Sequence, residues 1–132
     1  MQSFQPNFSL IWQYFSEICS IPRPSGKEEK IREYLLDFAS KEGFASKVDK
    51  AGNVLITRAG SAPAIGLQAH MDMVCEKNNN VEHDFENEGI KTYIKDGWMH
   101  ADGTTLGADN GIGMAMIMAA MKSYTGDKTI EG

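Results

Sequence analysis

Cysteine is scarce: Cys19 and Cys75 are the only two among 132 residues. So few exclude the disulfide framework of a small secreted domain, and without a Cys-x-x-Cys pair a thiolate metal site is excluded too. Two reduced cytosolic thiols are expected, Cys19 in a helix and Cys75 just past a strand. Positive charge is also in short supply: 13 Lys and Arg stand against 18 Asp and Glu, for a net charge of −5. That balance gives no general attraction to nucleic acid or anionic lipid, and no basic patch with interleaved aromatics offsets it. No apolar run approaches the ~20 residues that span a bilayer. The opening "MQSFQPNFSL" has neither the basic start nor the apolar core of an export signal, so a cytoplasmic location is expected.

What remains is the composition of a folded globular chain, 42% hydrophobic and 23% charged, long enough for one domain and too short for two. A domain near this size buries roughly 65–70% of its unfolded surface, so a real core is available. In "FSLIWQYFSEIC", Phe8, Ile11, Trp12, Phe15, Ile18 and Cys19 recur at helical spacing and predict one apolar face over residues 8–19. The prolines of "SIPRPSG" break that pattern. Ser25 and Glu28 then read as a Ser-x-x-Glu capping box opening a second helix, with Glu28 and Glu29 serving capping and dipole compensation. Ile31, Tyr34, Leu35, Phe38 and Ala39 supply its buried stripe, and Gly43 its stop.

The stretch "ASKVDKAGNVLITRAG" predicts two short strands around an Ala-Gly-Asn turn. The continuous apolar run "AIGLQAH" predicts a strand covered on both faces. "CEKNNNVEHDFENEG" is polar and reads as a surface loop, and "IKTYIKDGWMHA" as a hairpin on an Asp-Gly turn. A glycine-dense segment, "DGTTLGADNGIG", leads into "MAMIMAAMK", apolar nearly all round and expected to be a buried helix rich in adaptable methionines. There is no internal repeat. The fold class that follows is α/β, a mixed sheet flanked by helices.

Two places carry chemistry. In extended backbone, His70 and Asp72 of "AHMDMV" point to the same side, so a carboxylate can accept from one imidazole nitrogen and leave the other for a metal. The carboxyl end of a buried strand, where ligands of open α/β sheets gather, suits that arrangement. The competing reading is a hydrogen-bonded histidine at a strand end. Asp109, set among the glycines of "LGADNGIG", is the second place; glycine lets backbone come close to a ligand. There Asp109 or Asn110 could instead cap the helix. A phosphate cradle fails, because no Lys-Ser/Thr follows the glycines.

"GLQAHMDMVCEKN" together with "DGWMHADGTTLGADNGIG" closely resembles the aminoacyl-histidine dipeptidases, also called Xaa-His or cytosol non-specific dipeptidases, of the di-zinc aminopeptidase and carboxypeptidase superfamily. The likeness extends over nearly the whole chain, including "IWQYFSEICSIPRPSGKEEKI". The resemblance implies hydrolysis of small peptides, aminoacyl-histidine dipeptides in particular, by water held between two zinc ions. Mixed N/O ligation leaves cobalt or manganese as other candidate ions. By the same resemblance His70 is a zinc ligand, Asp109 is the carboxylate bridging both ions, and Asp72 joins the catalytic machinery by orienting His70. The Asp109–Asn110 bond is implied to be cis.

The family pattern continues with a Glu-Glu pair, a further acidic ligand and a late histidine, and none is present here. His83 reads as part of the polar loop and His100 as a hairpin side chain. Residues 1–132 are therefore expected to form the N-terminal portion of a metallopeptidase catalytic domain, with weak or absent zinc binding and no turnover in isolation. The sheet is expected to show an unpaired edge. The resemblance implies dimerisation of the full-length protein through a separate domain lying beyond this chain. A non-catalytic binding module on the same fold would keep His70 and Asp109 without hydrolysis; a Glu-Glu pair after Gly132 would favour the enzyme.

Overall fold

The computed structural model describes residues 8–132, so most of the opening stretch weighed as an export signal lies outside the described residues. The first helix, α1, spans Phe8–Cys19 as the periodicity predicts. Its buried face is Leu10, Tyr14, Phe15, Ile18 and Cys19, whereas Phe8 and Trp12 are 66% and 47% exposed. The expected stripe was thus turned too far toward Phe8 and Trp12. The helix is apolar on more than one side, and packing decides which side is covered: Tyr14 meets the edge of Phe38 at 5.5 Å, and α1 lies against the last helix.

Helix α2, Glu29–Glu42, buries Ile31, Leu35, Phe38 and Ala39. Gly43 ends it in the left-handed region (φ 75°), and the N–H of Phe44 returns to the carbonyl of Ala39 at 2.8 Å. Glycine reaches this conformation without a Cβ penalty. The capping box is not formed. Glu28 occupies the N-cap position without a side-chain bond to the helix, and Glu28 Oε1 accepts instead from the Gly26 N–H at 2.8 Å. The Ser25 hydroxyl is committed elsewhere, to Asp72.

Strands β1 (Ala45–Val48) and β2 (Val54–Arg58) form the expected antiparallel hairpin. The next strand, β3, is Ser61–Gly66, and every one of its residues is exposed. This corrects the expectation of a strand covered on both faces. The sheet order is β1-β2-β6-β3, so β3 is an edge, where Pro63 is tolerated because no ladder bond is needed from it. The hydrophobicity of "AIGLQAH" has another origin: Leu67, whose N–H still donates to the Glu131 carbonyl at 2.7 Å, and Ala69 pack against the core past the end of the strand, as does Met71 after them.

The hairpin of β4 (Thr92–Lys95) and β5 (Trp98–Ala101) turns at Asp96 and Gly97, both with positive φ, and stands as a separate two-stranded sheet. Helix α3 is Ala108–Ser123, but Asp109 and Asn110 have non-helical backbone, so the regular helix starts after them. Asn110 Oδ1 accepts from the Gly113 N–H at 3.1 Å and so caps it, as one of the two alternatives required. Met114, Ala115, Met118, Ala119 and Met121 are buried; Met116, at 54% exposed, shows that the helix is covered on most sides rather than all.

Strand β6, Lys128–Glu131, was not anticipated. It pairs antiparallel with β2 and parallel with β3, which makes the sheet mixed. Ile56 and Ile130 point into the core shared with the helices, while Leu55 is 40% exposed on the opposite side. The described helices therefore cover one face of the sheet. No described helix is long and apolar enough to cross a membrane.

Candidate metal centre

His70 lies four residues beyond the end of β3, not at the strand end itself. Alternation still places it usefully. Leu67, Ala69 and Met71 turn inward, leaving Gln68 and His70 outward, beside the N-terminal turn of α3. His70 Nε2 is 2.9 Å from Asp109 Oδ1, so the two residues singled out from separate motifs converge. On the other side of the ring, Nδ1 lies 3.1 Å from Asp72 Oδ1 and 3.0 Å from the Asp72 carbonyl oxygen. The carboxylate on Nδ1 fixes the ring plane and holds the proton there whenever Nε2 is needed as a lone-pair donor.

Ser25 completes the row, its Oγ donating to Asp72 Oδ2 at 2.5 Å. Sequence reasoning missed this residue, because the Ser-x-x-Glu spacing explained it locally and the true partner is 47 positions away. The hydrogen bond from Ser25, followed by the nearby His70, holds the Asp72 carboxyl below the usual carboxylate range. The His70 imidazole is raised above its ordinary value, chiefly through its bond to Asp109. The Asp109 side chain is 97% exposed, open to whatever approaches from solvent. The Asp109–Asn110 peptide bond is cis, as the resemblance implied.

The remaining candidates lie elsewhere. His100 stacks on Tyr93 across the hairpin at 5.2 Å, a hairpin side chain as expected. His83 belongs to the loop, as expected, with its side chain only 2% exposed, packed on Phe85 and with Nδ1 3.5 Å from Glu88 Oε2. Cys75 follows the irregular segment rather than a strand, and both cysteines are free thiols, with burial pushing Cys19 up to about 11. Among the described residues no group of three or more His, Cys, Asp or Glu is placed to hold a metal ion. His70 and Asp109 are two converging donors, and Asp72 sits on the far nitrogen. A cavity of about 480 Å³ is lined by His70 and Asp72 and walled by Leu35, Phe38, Ile56, Met118 and, just past β6, Gly132.

No family model matches the chain. In sequence it is 47% identical over 116 residues to the cytosol non-specific dipeptidase of Escherichia coli (strain K12), a match covering 84% of this chain and 24% of that protein. A lysyl aminopeptidase of Pyrococcus furiosus is 34% identical over 74 residues, 55% of this chain and 21% of that protein. In fold it matches the crystal structure of aminoacylhistidine dipeptidase from Vibrio alginolyticus with a TM-score of 0.87 and 41% identity, over 96% of this chain and 27% of that one. A tripeptidase from Staphylococcus aureus shares the fold at TM-score 0.77 and 24% identity, over 97% of this chain and 36% of that one. The chain spans about a quarter of the length of the two dipeptidases. Over that part, the resemblance read from the two motifs is borne out.

Proposed function

We propose, from this kinship with the aminoacyl-histidine dipeptidases, that the chain is part of the catalytic domain of a metal-dependent peptidase acting on dipeptides, Xaa-His dipeptides among them. The observation that carries the reading is the 2.9 Å approach of His70 Nε2 to Asp109 Oδ1, with Asp72 already engaged on Nδ1. An imidazole oriented by a carboxylate and facing a second, exposed carboxylate is a donor set that suits zinc, cobalt or manganese. His70 and Asp109 would hold the ion. When bound, such an ion polarises a carbonyl and lowers the pKa of a coordinated water.

The chain's own residues supply orientation more than proton transfer. Asp72 keeps the Nδ1 proton and therefore the Nε2 lone pair, and Ser25 keeps Asp72 in place. Asp72 and Asp109 are each engaged with His70, so neither is placed to take a proton from water and pass one to a leaving amine. Catalytic zinc normally takes three protein ligands. Two donors support weak binding at most, and the 132-residue chain alone should not turn over substrate.

Isothermal titration with zinc, run beside an assay on an aminoacyl-histidine dipeptide, tests both halves. Weak binding that depends on His70, with no hydrolysis, is the expected result. Tight stoichiometric binding with turnover would refute the incompleteness of the site, and binding indifferent to His70→Ala would refute the site itself. A binding module that holds a metal or peptide without hydrolysis is the second reading. It draws on the same lack of a proton-carrying carboxylate, and it predicts that supplying the sequence encoded after residue 132 restores no activity.

A further inference from the structure

Arg23 is 1% exposed, yet no carboxylate lies among its hydrogen-bond partners. Nη1 donates to the carbonyl oxygens of Met71 at 3.2 Å and Asp72 at 3.4 Å, and Nη2 donates to that of Gly107 at 2.7 Å. Nε is buried with no hydrogen-bond partner. Burying a cation without a charge partner is costly, and an apolar side chain of similar size often serves stability as well or better. Stability alone therefore does not account for an arginine here. What its contacts do is join two chain segments: residues 71–72, which follow His70, and residue 107, which precedes Asp109.

The surroundings are cut to this one side chain. A Cβ on Gly107 would lie 2.6 Å from Arg23 Nη2 and 2.9 Å from Met73 Sδ, and one on Gly111 would lie 2.7 Å from Nη2 and 3.2 Å from Phe15. Two glycines of the "LGADNG" turn, one on each side of Asp109, thus clear the space that the guanidinium occupies. The segment that holds Arg23, residues 20–28 between α1 and α2, contributes twice more on the His70 side. The Met73 N–H donates to the Arg23 carbonyl at 3.0 Å, and Ser25 holds Asp72.

We propose that Arg23 is a positioning residue that fixes the separation between His70 and Asp109 by tying the carbonyls of Met71 and Asp72 to that of Gly107. A planar fork with donors on two nitrogens spans these divergent acceptors, and a single ammonium does not. The separation itself is independent of what the pair binds. Its consequence for metal affinity rests on the metal reading given above.

The test uses the 132-residue chain as wild type, Arg23→Lys, Gly111→Ala and His70→Ala, with crystal structures of the first three and zinc titrations of all four. Gly111→Ala leaves Arg23 in place and displaces its head group, so it decides the matter if Arg23→Lys does not fold. The expected result is an opening of the 2.9 Å gap by about 1 Å in both variants, with zinc affinity reduced at least tenfold, since misplacements of that size cost function steeply. An unchanged gap in both variants overturns the proposal whatever zinc does. So does affinity equal to wild type in both, provided His70→Ala weakens binding; a purely structural arginine would lower the unfolding midpoint and leave gap and affinity alone. Should zinc binding be undetectable or indifferent to His70→Ala, the metal reading falls and the gap alone decides the role of Arg23.

Discussion

Replacing Arg58 by methionine should cost far more than an ordinary surface substitution. The Arg58 guanidinium lies 5.8 Å from the Phe44 ring centre and 5.7 Å from that of Tyr124. It also donates through Nη1 to the carbonyl oxygens of Met121 and, at 3.4 Å, Lys122, in the last turn of α3. It therefore fastens β2 to the C-terminal end of the helix whose other end carries Asp109. Each ring contact contributes about 0.5–1 kcal/mol at a partly exposed site. A charged hydrogen bond to a carbonyl adds roughly 1.5–3 kcal/mol, and a cation at a helix C-terminus another ~0.3–1 kcal/mol. Arg58 is not fully buried, so the low end applies: Arg58→Met should destabilise by about 2–3 kcal/mol, and Arg58→Lys, which keeps the charge but loses the planar stacking, by about half of that. Urea unfolding followed by circular dichroism measures both. A loss below about 0.5 kcal/mol for Arg58→Met, the range of substitutions that touch nothing, would refute the reasoning.

Other consequences can be checked in parallel. Because His70 is raised by its bond to Asp109, its contribution to stability is fully present below the ordinary value of 6.5 and is lost as pH rises through the higher folded value. NMR titration of the imidazole should show Asp109→Asn shifting it back downward; an unmoved midpoint would mean that the contact does not form in solution. The opposite sign holds for Asp72, whose depressed value stabilises the fold above the ordinary 3.8 and fails as pH falls through the lowered one. Ser25→Ala should raise the Asp72 midpoint, and no change would remove Ser25 from the site. Tyr34 donates to Glu17 Oε2 at 2.5 Å, joining α2 to α1, so Tyr34→Phe should cost about 1–2 kcal/mol in the same urea assay, with no loss as the refuting result.

The parts of the fold legible in the sequence are those governed by local rules. Helices α1 and α2 followed from the 3.6-residue period, α3 from a segment apolar nearly all round, Gly43 from the needs of a helix end, and both hairpins from their turn residues. Strand β6 was illegible because "KTIE" has one buried residue, Ile130, and becomes a strand only through partners on β2 and β3. The run "AIGLQAH" misled because hydrophobicity reports burial, not pairing; Leu67 and Ala69 pack on the core beyond the end of the exposed strand β3. At the site, spacing alone gave two candidate pieces, and their union came from the resemblance. Ser25 and Arg23 stayed hidden because their partners are 47 to 84 positions away and are reached through a proline-containing connector with no periodic signal.

The most direct test of a shared cation position is a zinc titration of the 132-residue chain followed at the His70 ring nitrogens by NMR. Perturbation should centre on Nε2, leave the Nδ1 proton in place, strengthen as pH rises and Nε2 deprotonates, and vanish in Asp109→Ala. Zinc-dependent shifts that ignore His70, or that survive loss of Asp109 unchanged, would contradict it.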